Sequence, residues 1–149
     1  MKDIVVIGAG QAGASLCAKL RQMGYGEKLS LFGEEVFPPY QRPPLSKKYL
    51  LGEIDVERLY IRPKKFYSEQ DINLNLNSPI SKIDIKKKVI YSKGNSTSFD
   101  QLIFTTGSTP RKLPESLSQN LKNIFYVRSI LDVNYMAPNL VEGKKVLII

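Results

Sequence analysis

The sequence predicts an α/β fold in which a parallel sheet is combined with an antiparallel β-meander. Three observations support it: a strand–helix–strand opening, a glycine-rich turn between the first strand and the helix, and short alternating strands in mid-chain. The chain has 149 residues, 42% of them hydrophobic and 24% charged. This composition is typical of a globular domain rather than of a disordered tail.

The opening unit alternates element types in the order strand, helix, strand. Ile4 to Ile7 is a continuous apolar run, typical of a parallel strand covered on both faces. A helix is predicted over Ala14 to Met23, with small residues on its inner face and Gly24 ending it. Leu29 to Phe32 is the second predicted strand.

The segment after the second strand interrupts this alternation. Val36 to Pro44 is rich in proline and is expected to be a stiff loop, because proline lacks a backbone donor and fixes φ. Short helices are predicted from about Leu45 to Gly52 and from Pro63 to Gln70. Apolar residues that alternate with asparagine at 72–76 predict a half-buried strand.

The second half of the chain begins with the predicted meander. Three antiparallel strands are expected between Ile80 and Phe99, followed by an apolar strand at Leu102 to Thr105. Residues 111–143 form a predicted connecting region that is strand-like at Ile124 to Val127. The last four residues, Val146 to Ile149, have the pattern of another buried parallel strand.

Cysteine and histidine usage excludes several kinds of chemistry. The single cysteine, Cys17, lies in the first predicted helix, where we expect a buried free thiol. One cysteine rules out an internal disulfide, a dithiol redox pair and a Cys-based metal site within these residues. Because histidine is absent, a Ser-His-Asp triad and a His-ligated zinc are excluded, and no metal site is predicted. The chemistry must come from a cofactor or from other side chains.

The net charge of +8 does not by itself predict a nucleic-acid partner. The lysines are scattered, and their one short run, at 86–88, has the pattern of a solvated turn. A basic chain can still attract an acidic partner protein through its long-range field. The first residues do not resemble a signal peptide, and no segment approaches the roughly 20 apolar residues of a bilayer span. We therefore expect a soluble, cytoplasmic protein without a membrane partner.

The glycine-rich turn has the spacing GxGxxG, from Gly8 to Gly13. Alone this motif is weak, but between a strand and a helix it indicates dinucleotide binding. Gly8 permits the tight turn, Gly10 lets the backbone approach a pyrophosphate, and Gly13 allows close helix packing. A carboxylate for the ribose hydroxyls is expected about 20 residues on. Glu34 and Glu35 both stand there, and Glu34 is favoured because it follows the strand more directly.

The motif alone does not choose between NAD and FAD, since both share the ADP half. In a simple nicotinamide dehydrogenase the second strand is followed by another helix and a parallel strand. Here it is followed by a proline-rich loop and a meander. That interruption favours FAD.

Three further segments carry a resemblance to a known family. PPYQRPPLSKKYLLGE (38–53), FDQLIFTTGSTPRKLP (99–114) and YVRSILD (126–132) follow GAGQAG in order. Together they resemble the FAD-dependent ferredoxin and rubredoxin reductases of the pyridine nucleotide-disulfide oxidoreductase superfamily, and above all the putidaredoxin reductase group, which is related to apoptosis-inducing factor. The RPPLSK core discriminates far better than GxGxxG does.

The resemblance implies a Rossmann-like FAD-binding domain in an NAD(P)H-dependent flavoprotein reductase. Its flavin would take a hydride from NAD(P)H and pass single electrons to a ferredoxin or a rubredoxin. Two alternatives stay open: an apoptosis-inducing-factor-like NAD(P)H oxidoreductase, and a non-catalytic module that binds FAD or ADP.

The resemblance also implies which residues hold the cofactor. Lys47 would be the catalytic residue beside the isoalloxazine ring, where a cation stabilises negative charge. Ala12 and Arg128 would bind the pyrophosphate, Glu34 the adenosine ribose and Ile80, through its backbone, the adenine end. Arg42 is either a phosphate fork or a surface ion pair. The remaining predicted contacts are Gly8, Gly10, Gly13, Thr106 and Gly107.

The family pattern predicts three regions along the chain. Residues 1–113 would be the first part of the FAD-binding domain, 114–143 a connecting segment, and 144–149 the first strand of an NAD(P)-binding domain that continues beyond the sequence. We expect this N-terminal portion to be inactive alone, because the NAD(P)H site and part of the flavin pocket would lie further along the chain.

Overall fold

The computed structural model describes residues 2–119 and 121–149, which form two compact units. Each unit combines two separate stretches of sequence. The first contains the described residues up to Tyr40 together with Tyr60–Gly107, and the second contains Gln41–Leu59 and Ser108–Ile149. The domain boundaries at 113 and 143 stay predictions.

The first unit contains a four-stranded sheet, a three-stranded sheet and two helices. Its elements are β1 (Ile4–Ile7), α1 (Gln11–Gln22), β2 (Leu29–Phe32), α2 (Lys64–Glu69), β3 (Ile72–Asn75), β4 (Ile80–Asp84), β5 (Val89–Ser92), β6 (Asn95–Ser98) and β7 (Gln101–Phe104). The larger sheet is parallel in the order β3-β2-β1-β7, and the smaller is antiparallel in the order β4-β5-β6. The predicted fold class is confirmed.

Strand β1 is central and has buried side chains on both faces of the sheet. Ile4 and Val6 belong to one core cluster, which includes Ala14 and Cys17 of α1. Val5 and Ile7 belong to a second cluster on the other face, which includes side chains of the meander region. Successive strand residues point to opposite faces, so a strand covered on both sides must be apolar at every position.

Helix α1 begins three residues before the predicted start, at Gln11 rather than Ala14. It ends at Gln22, with Met23 as its C-cap. Its buried face consists of small residues, as predicted, and Cys17 is fully buried. The prediction of a buried free thiol is confirmed. Burial raises the pKa of the Cys17 thiol to about 12.

The meander has the predicted three strands and the predicted lysine turn. Strand β5 pairs in antiparallel register with β4 on one side and β6 on the other. The carboxylate Oδ1 of Asp84 accepts a hydrogen bond of 2.9 Å from the backbone N–H of Lys87, which closes the turn after β4. The three lysine side chains of that turn are exposed.

The second unit has short helices and turns but no strand among its described residues, and it corrects several predictions. It contains 3₁₀ helices at Pro43–Ser46, Val56–Leu59 and Ala137–Asn139, together with α3 (Glu115–Ser118) and α4 (Ile130–Met136). The helix predicted from Leu45 to Gly52 is a 3₁₀ turn that begins at Pro43, followed by further turns. Helix α4 lies in the region that was predicted to be only a connection.

Two predicted strand segments are not strands in the structure. Neither residues 124–127 nor residues 146–149 have strand structure, and Ile149 is 96% exposed. An apolar run becomes a strand only where another segment supplies hydrogen-bond partners. Among the described residues, no segment pairs with 146–149. No helix in the described part of the chain is long and apolar enough to cross a membrane.

Candidate dinucleotide site

The turn between β1 and α1 passes so close to the end of β7 that a side chain could not fit. Gly8 has a φ of +113°, and a Cβ atom there would lie 2.2 Å from the carbonyl oxygen of Thr105. The Gly8 N–H donates to the carbonyl of Phe32 at 2.8 Å. A Cβ atom on Gly13 would lie 2.2 Å from the carbonyl oxygen of Gly8. Gly8 and Gly13 thus have the steric roles that the motif predicts, whereas their contact with a cofactor stays a prediction.

Gly10 faces open space. It is the N-cap of α1, and no atom lies within 4 Å of the position a Cβ would occupy there. No side chain caps the helix, and its first turn contains no acidic residue. The leading N–H groups and the positive end of the helix dipole are therefore available to an anion. Ala12, in this first turn, is exposed.

The two candidate carboxylates after β2 differ in their surroundings. Glu35 accepts a hydrogen bond of 2.6 Å from the Tyr40 hydroxyl. Glu34 is exposed and makes no side-chain hydrogen bond or ion pair with any other residue that the structure describes. Because β1 and β2 are parallel neighbours, Glu34 follows a strand end at the same edge of the sheet as the glycine turn. This geometry favours Glu34 as the ribose ligand.

The end of β7 contributes a residue that sequence reasoning missed. The Thr105 hydroxyl donates to the Gly8 carbonyl at 2.8 Å, and the Thr105 N–H donates to the Ile7 carbonyl at 2.8 Å. Thr105 therefore fixes the glycine turn from the neighbouring strand. The predicted contacts Thr106 and Gly107 follow it and are both exposed. A small polar residue at a strand end that must meet a glycine turn is the signal that could have identified Thr105.

Ile80, the predicted contact at the adenine end, is the first residue of β4. Its side chain is half-buried and packs against the core cluster that contains Val5 and Ile7. The pairing of β4 with β5 shifts register just after it, between Ile80 and Lys82. An irregularity of this kind leaves backbone groups outside the regular ladder.

Two of the predicted cations lie in the loop and 3₁₀ turn that contain RPPLSK. Lys47 ends the 3₁₀ turn; its side chain is exposed, and its Nζ donates to the Pro43 carbonyl at 3.3 Å. The Arg42 guanidinium is half-buried, and its Nη1 donates to the backbone carbonyl of Arg128. A hydrogen bond from the Arg42 side chain to the Arg128 backbone therefore joins these two predicted site residues.

Helix α4 begins at Ile130, two residues after Arg128, with a capping box that sequence reasoning missed. The Ser129 hydroxyl accepts the Asp132 N–H at 3.2 Å, and Asp132 Oδ2 accepts the Ser129 N–H at 2.7 Å. The same oxygen accepts the N–H of Arg128 at 3.0 Å. The pattern Ser-x-x-Asp before an apolar run was the available signal.

The predicted site residues divide between the two units. The first unit contains Gly8, Gly10, Ala12, Gly13, Glu34, Ile80, Thr106 and Gly107, and the second contains Arg42, Lys47 and Arg128. Within the first unit, the carboxyl ends of β1, β2 and β7 bring the glycine turn, Glu34 and Thr106 to one edge of the sheet. A turn at this edge, followed by an open helix N-terminus, defines a dinucleotide-binding α/β protein.

The chain belongs to the pyridine nucleotide-disulphide oxidoreductase family, whose model matches residues 2–149. It is 38% identical over 147 residues to a rubredoxin-NAD(+) reductase of Ectopseudomonas oleovorans, covering 98% of this chain and 38% of that protein. It is 34% identical to a ferredoxin--NAD(P)(+) reductase of Sphingomonas sp, covering 99% of this chain and 36% of that protein. The chain therefore spans well under half the length of these relatives.

Solved structures show the same likeness. The reductase in a covalent putidaredoxin reductase–putidaredoxin complex superposes with a TM-score of 0.85 at 29% identity, covering 95% of this chain and 35% of that one. A ferredoxin reductase for the CYP199A2 system of Rhodopseudomonas palustris superposes with a TM-score of 0.82 at 33% identity, covering 92% and 34%. The resemblance stated from the sequence is confirmed, and membership of this family implies FAD and NAD(P)H as cofactors.

Proposed function

We propose that the whole protein is a flavoprotein reductase that passes electrons from NAD(P)H through FAD to a ferredoxin- or rubredoxin-type iron–sulfur protein. These 149 residues would be its N-terminal FAD-binding portion, inactive alone. The similarity to rubredoxin and ferredoxin reductases over a third of their length supports the activity and the assignment of these residues to one portion of the protein. Inactivity of this portion alone is a separate part of the proposal. The observation that carries the proposal is the open glycine turn at the start of α1, with a carboxylate, Glu34, that has no partner among the described residues at the same edge of the sheet.

The residues of the first unit fit the ADP half of FAD. The open space at Gly10 and the uncapped start of α1 suit a pyrophosphate, which carries negative charge and many acceptor oxygens. The exposed Glu34 carboxylate suits the ribose, whose hydroxyl groups donate hydrogen bonds. The exposed segment Thr106-Gly107 leaves backbone accessible at the same edge.

In the second unit, Lys47 and Arg128 are the cations proposed to act on the cofactor. FAD, when bound, supplies the hydride acceptor and the one-electron donor that these side chains lack. Among the described residues, the Lys47 ammonium makes one long hydrogen bond, to the Pro43 carbonyl at 3.3 Å, which leaves most of its donor capacity available. We propose that it orients the flavin and stabilises the negative charge that reduction brings.

The nucleotide site is tested by titrating the chain with FAD and with ADP, following the flavin fluorescence and the heat of binding. Glu34→Gln should weaken the binding of both by about tenfold, since it removes charge-assisted hydrogen bonds to the ribose. Glu142→Gln is the matched control, because Glu142 is exposed and lies in the second unit. Equal affinities for the two variants would contradict the role of Glu34.

The electron-transfer proposal is tested with the full-length gene product. We expect NAD(P)H to reduce its flavin, and the reduced flavin to reduce a [2Fe–2S] ferredoxin or a rubredoxin. A flavin that is reduced by NAD(P)H but reduces neither acceptor would contradict the proposed partner and favour an oxidoreductase of the apoptosis-inducing-factor type. A protein that binds FAD but accepts no hydride would be a non-catalytic module.

A further inference from the structure

Arg128 is held by charged side chains at both ends of its backbone. Its N–H donates to Asp132 Oδ2 at 3.0 Å, and its carbonyl accepts from the Nη1 of Arg42. Its own guanidinium is half-buried and has no hydrogen-bond or ion-pair partner among the residues that the structure describes. The backbone is therefore fixed while the cationic side chain is left available.

A helix start alone does not account for this arrangement. A capping box requires only the reciprocal bonds between Ser129 and Asp132. The bond from the Arg128 N–H and the bond from the Arg42 guanidinium lie outside the box. Both are charge-assisted hydrogen bonds, which are about twice as strong as neutral ones.

We propose that Arg42 and Asp132 are positioning residues that hold Arg128 in place to bind an anionic group of the cofactor. This inference rests on the proposed function, and it assigns Arg42 a role other than that of a phosphate fork. A loop cation that is ordered before the ligand arrives loses less conformational freedom on binding. We call Arg42 and Asp132 together the brace. Replacing either residue should weaken the cofactor affinity without removing a group that binds the cofactor.

A double-mutant cycle on the binding of FAD distinguishes this role from general stabilisation. We expect Asp132→Ala and Arg128→Ala each to raise the dissociation constant about tenfold. The double variant should bind within about twofold of Arg128→Ala, because the brace has no function without the guanidinium it holds. ADP serves as a second probe, since it contains the pyrophosphate without the flavin.

Matched variants keep the experiment decisive. Asp84→Ala is the control, because Asp84 also accepts a backbone N–H in a turn, and we expect it to leave the affinity unchanged within about twofold. If Asp132→Ala impairs folding, Asp132→Asn keeps an acceptor oxygen at that position and should weaken binding less than tenfold. Arg42→Gln should weaken binding more than Arg42→Lys, which keeps the charge.

The outcomes separate this inference from the function on which it rests. A wild-type chain that binds neither FAD nor ADP would contradict the nucleotide site itself, and the brace with it. A wild-type chain that binds FAD, with Asp132→Ala equally harmful in the presence and absence of Arg128, would overturn the brace alone. In that case Asp132 would only start α4.

Discussion

Glu34 and Glu35 have identical side chains and adjacent positions, yet the fold gives them different surroundings. Glu35 accepts the Tyr40 hydroxyl at 2.6 Å, whereas Glu34 is exposed without a partner among the described residues. Sequence spacing could place a carboxylate at the end of β2, and strand proximity favoured Glu34. The bond to Tyr40 could not be predicted, because it depends on the path of the proline-rich loop.

The close approach of the glycine turn to the end of β7 leads to a prediction at Gly8. Gly8→Ala should destabilise the chain by about 2 to 4 kcal/mol, because the added Cβ would meet the Thr105 carbonyl oxygen at 2.2 Å and φ is +113°. The resulting shift of the turn should also weaken ADP binding. Urea denaturation followed by circular dichroism measures the first effect, and calorimetric titration measures the second.

Gly94→Ala is the control for this substitution. Gly94 also has a positive φ, of +79°, but nothing lies within 4 Å of the Cβ position. The control isolates the conformational cost, which we expect to be about 1 to 2 kcal/mol. If both variants lose the same stability, the close approach to Thr105 has no energetic weight.

At the scale of elements, the sequence predicts best the helices and strands whose signal lies within one continuous segment. The run Ile4–Ile7 and the glycine turn identified β1 and α1, and turn residues located the strands of the meander. Helix α4 was missed because its signal, the box from Ser129 to Asp132, lies in a stretch without long helical periodicity. Residues 146–149 have no strand structure, because no described segment pairs with them, and an apolar pattern contains no information on whether a partner exists. That they begin an NAD(P)-binding domain stays a prediction.

Arg21 joins the end of α1 to two separate loops and could not be identified from sequence. Its side chain is only 8% exposed. The guanidinium donates to the carbonyls of Glu27 at 2.8 Å, Gln70 at 3.0 Å and Asp71 at 2.6 Å. A nearly buried cation that serves several backbone acceptors substitutes for the sheet and helix bonds these loops lack.

Arg21→Met should therefore destabilise the chain by about 2 to 3 kcal/mol, since the part-buried carbonyl oxygens of Tyr25 and Glu27 would lose this donor. Lys19→Met is the control, because the Lys19 side chain is exposed on the same helix and, among the described residues, donates only to Gln22 Oε1, at 3.1 Å. We expect the control to change the free energy of unfolding by less than about 0.5 kcal/mol in urea. A loss below about 1 kcal/mol for Arg21→Met would show that water replaces the guanidinium.

At the scale of the whole molecule, the two core clusters of the first unit lie on opposite faces of one parallel sheet. One cluster contains Cys17 and Tyr67, two groups that can ionise. Burial raises the pKa of the Cys17 thiol from 9.0 to about 12 and that of the Tyr67 hydroxyl from 10.0 to about 12. Both groups are neutral when protonated, so the folded state favours the protonated form.

The direction of the pH effect follows from these shifts. Well below pH 9, at about pH 7, both groups are protonated in the folded and unfolded states, so their contribution is fully present. As the pH rises from 9 towards 12, the unfolded chain releases protons that the folded chain retains, and stability is lost. Each group can contribute up to about 1.4 kcal/mol per pH unit.

Cys17→Ala isolates the thiol, because titrations common to both proteins cancel in the comparison. Between pH 9 and 10 the unfolded thiol titrates before the unfolded tyrosine. The free energy of unfolding should therefore fall more steeply with pH for the wild type than for Cys17→Ala in this range. Urea denaturation at pH 7, 9 and 10 measures the two slopes. Two results together would contradict the burial of the thiol: equal slopes, and alkylation of native Cys17 by iodoacetamide at pH 8. They would show that water reaches the core cluster that contains Cys17.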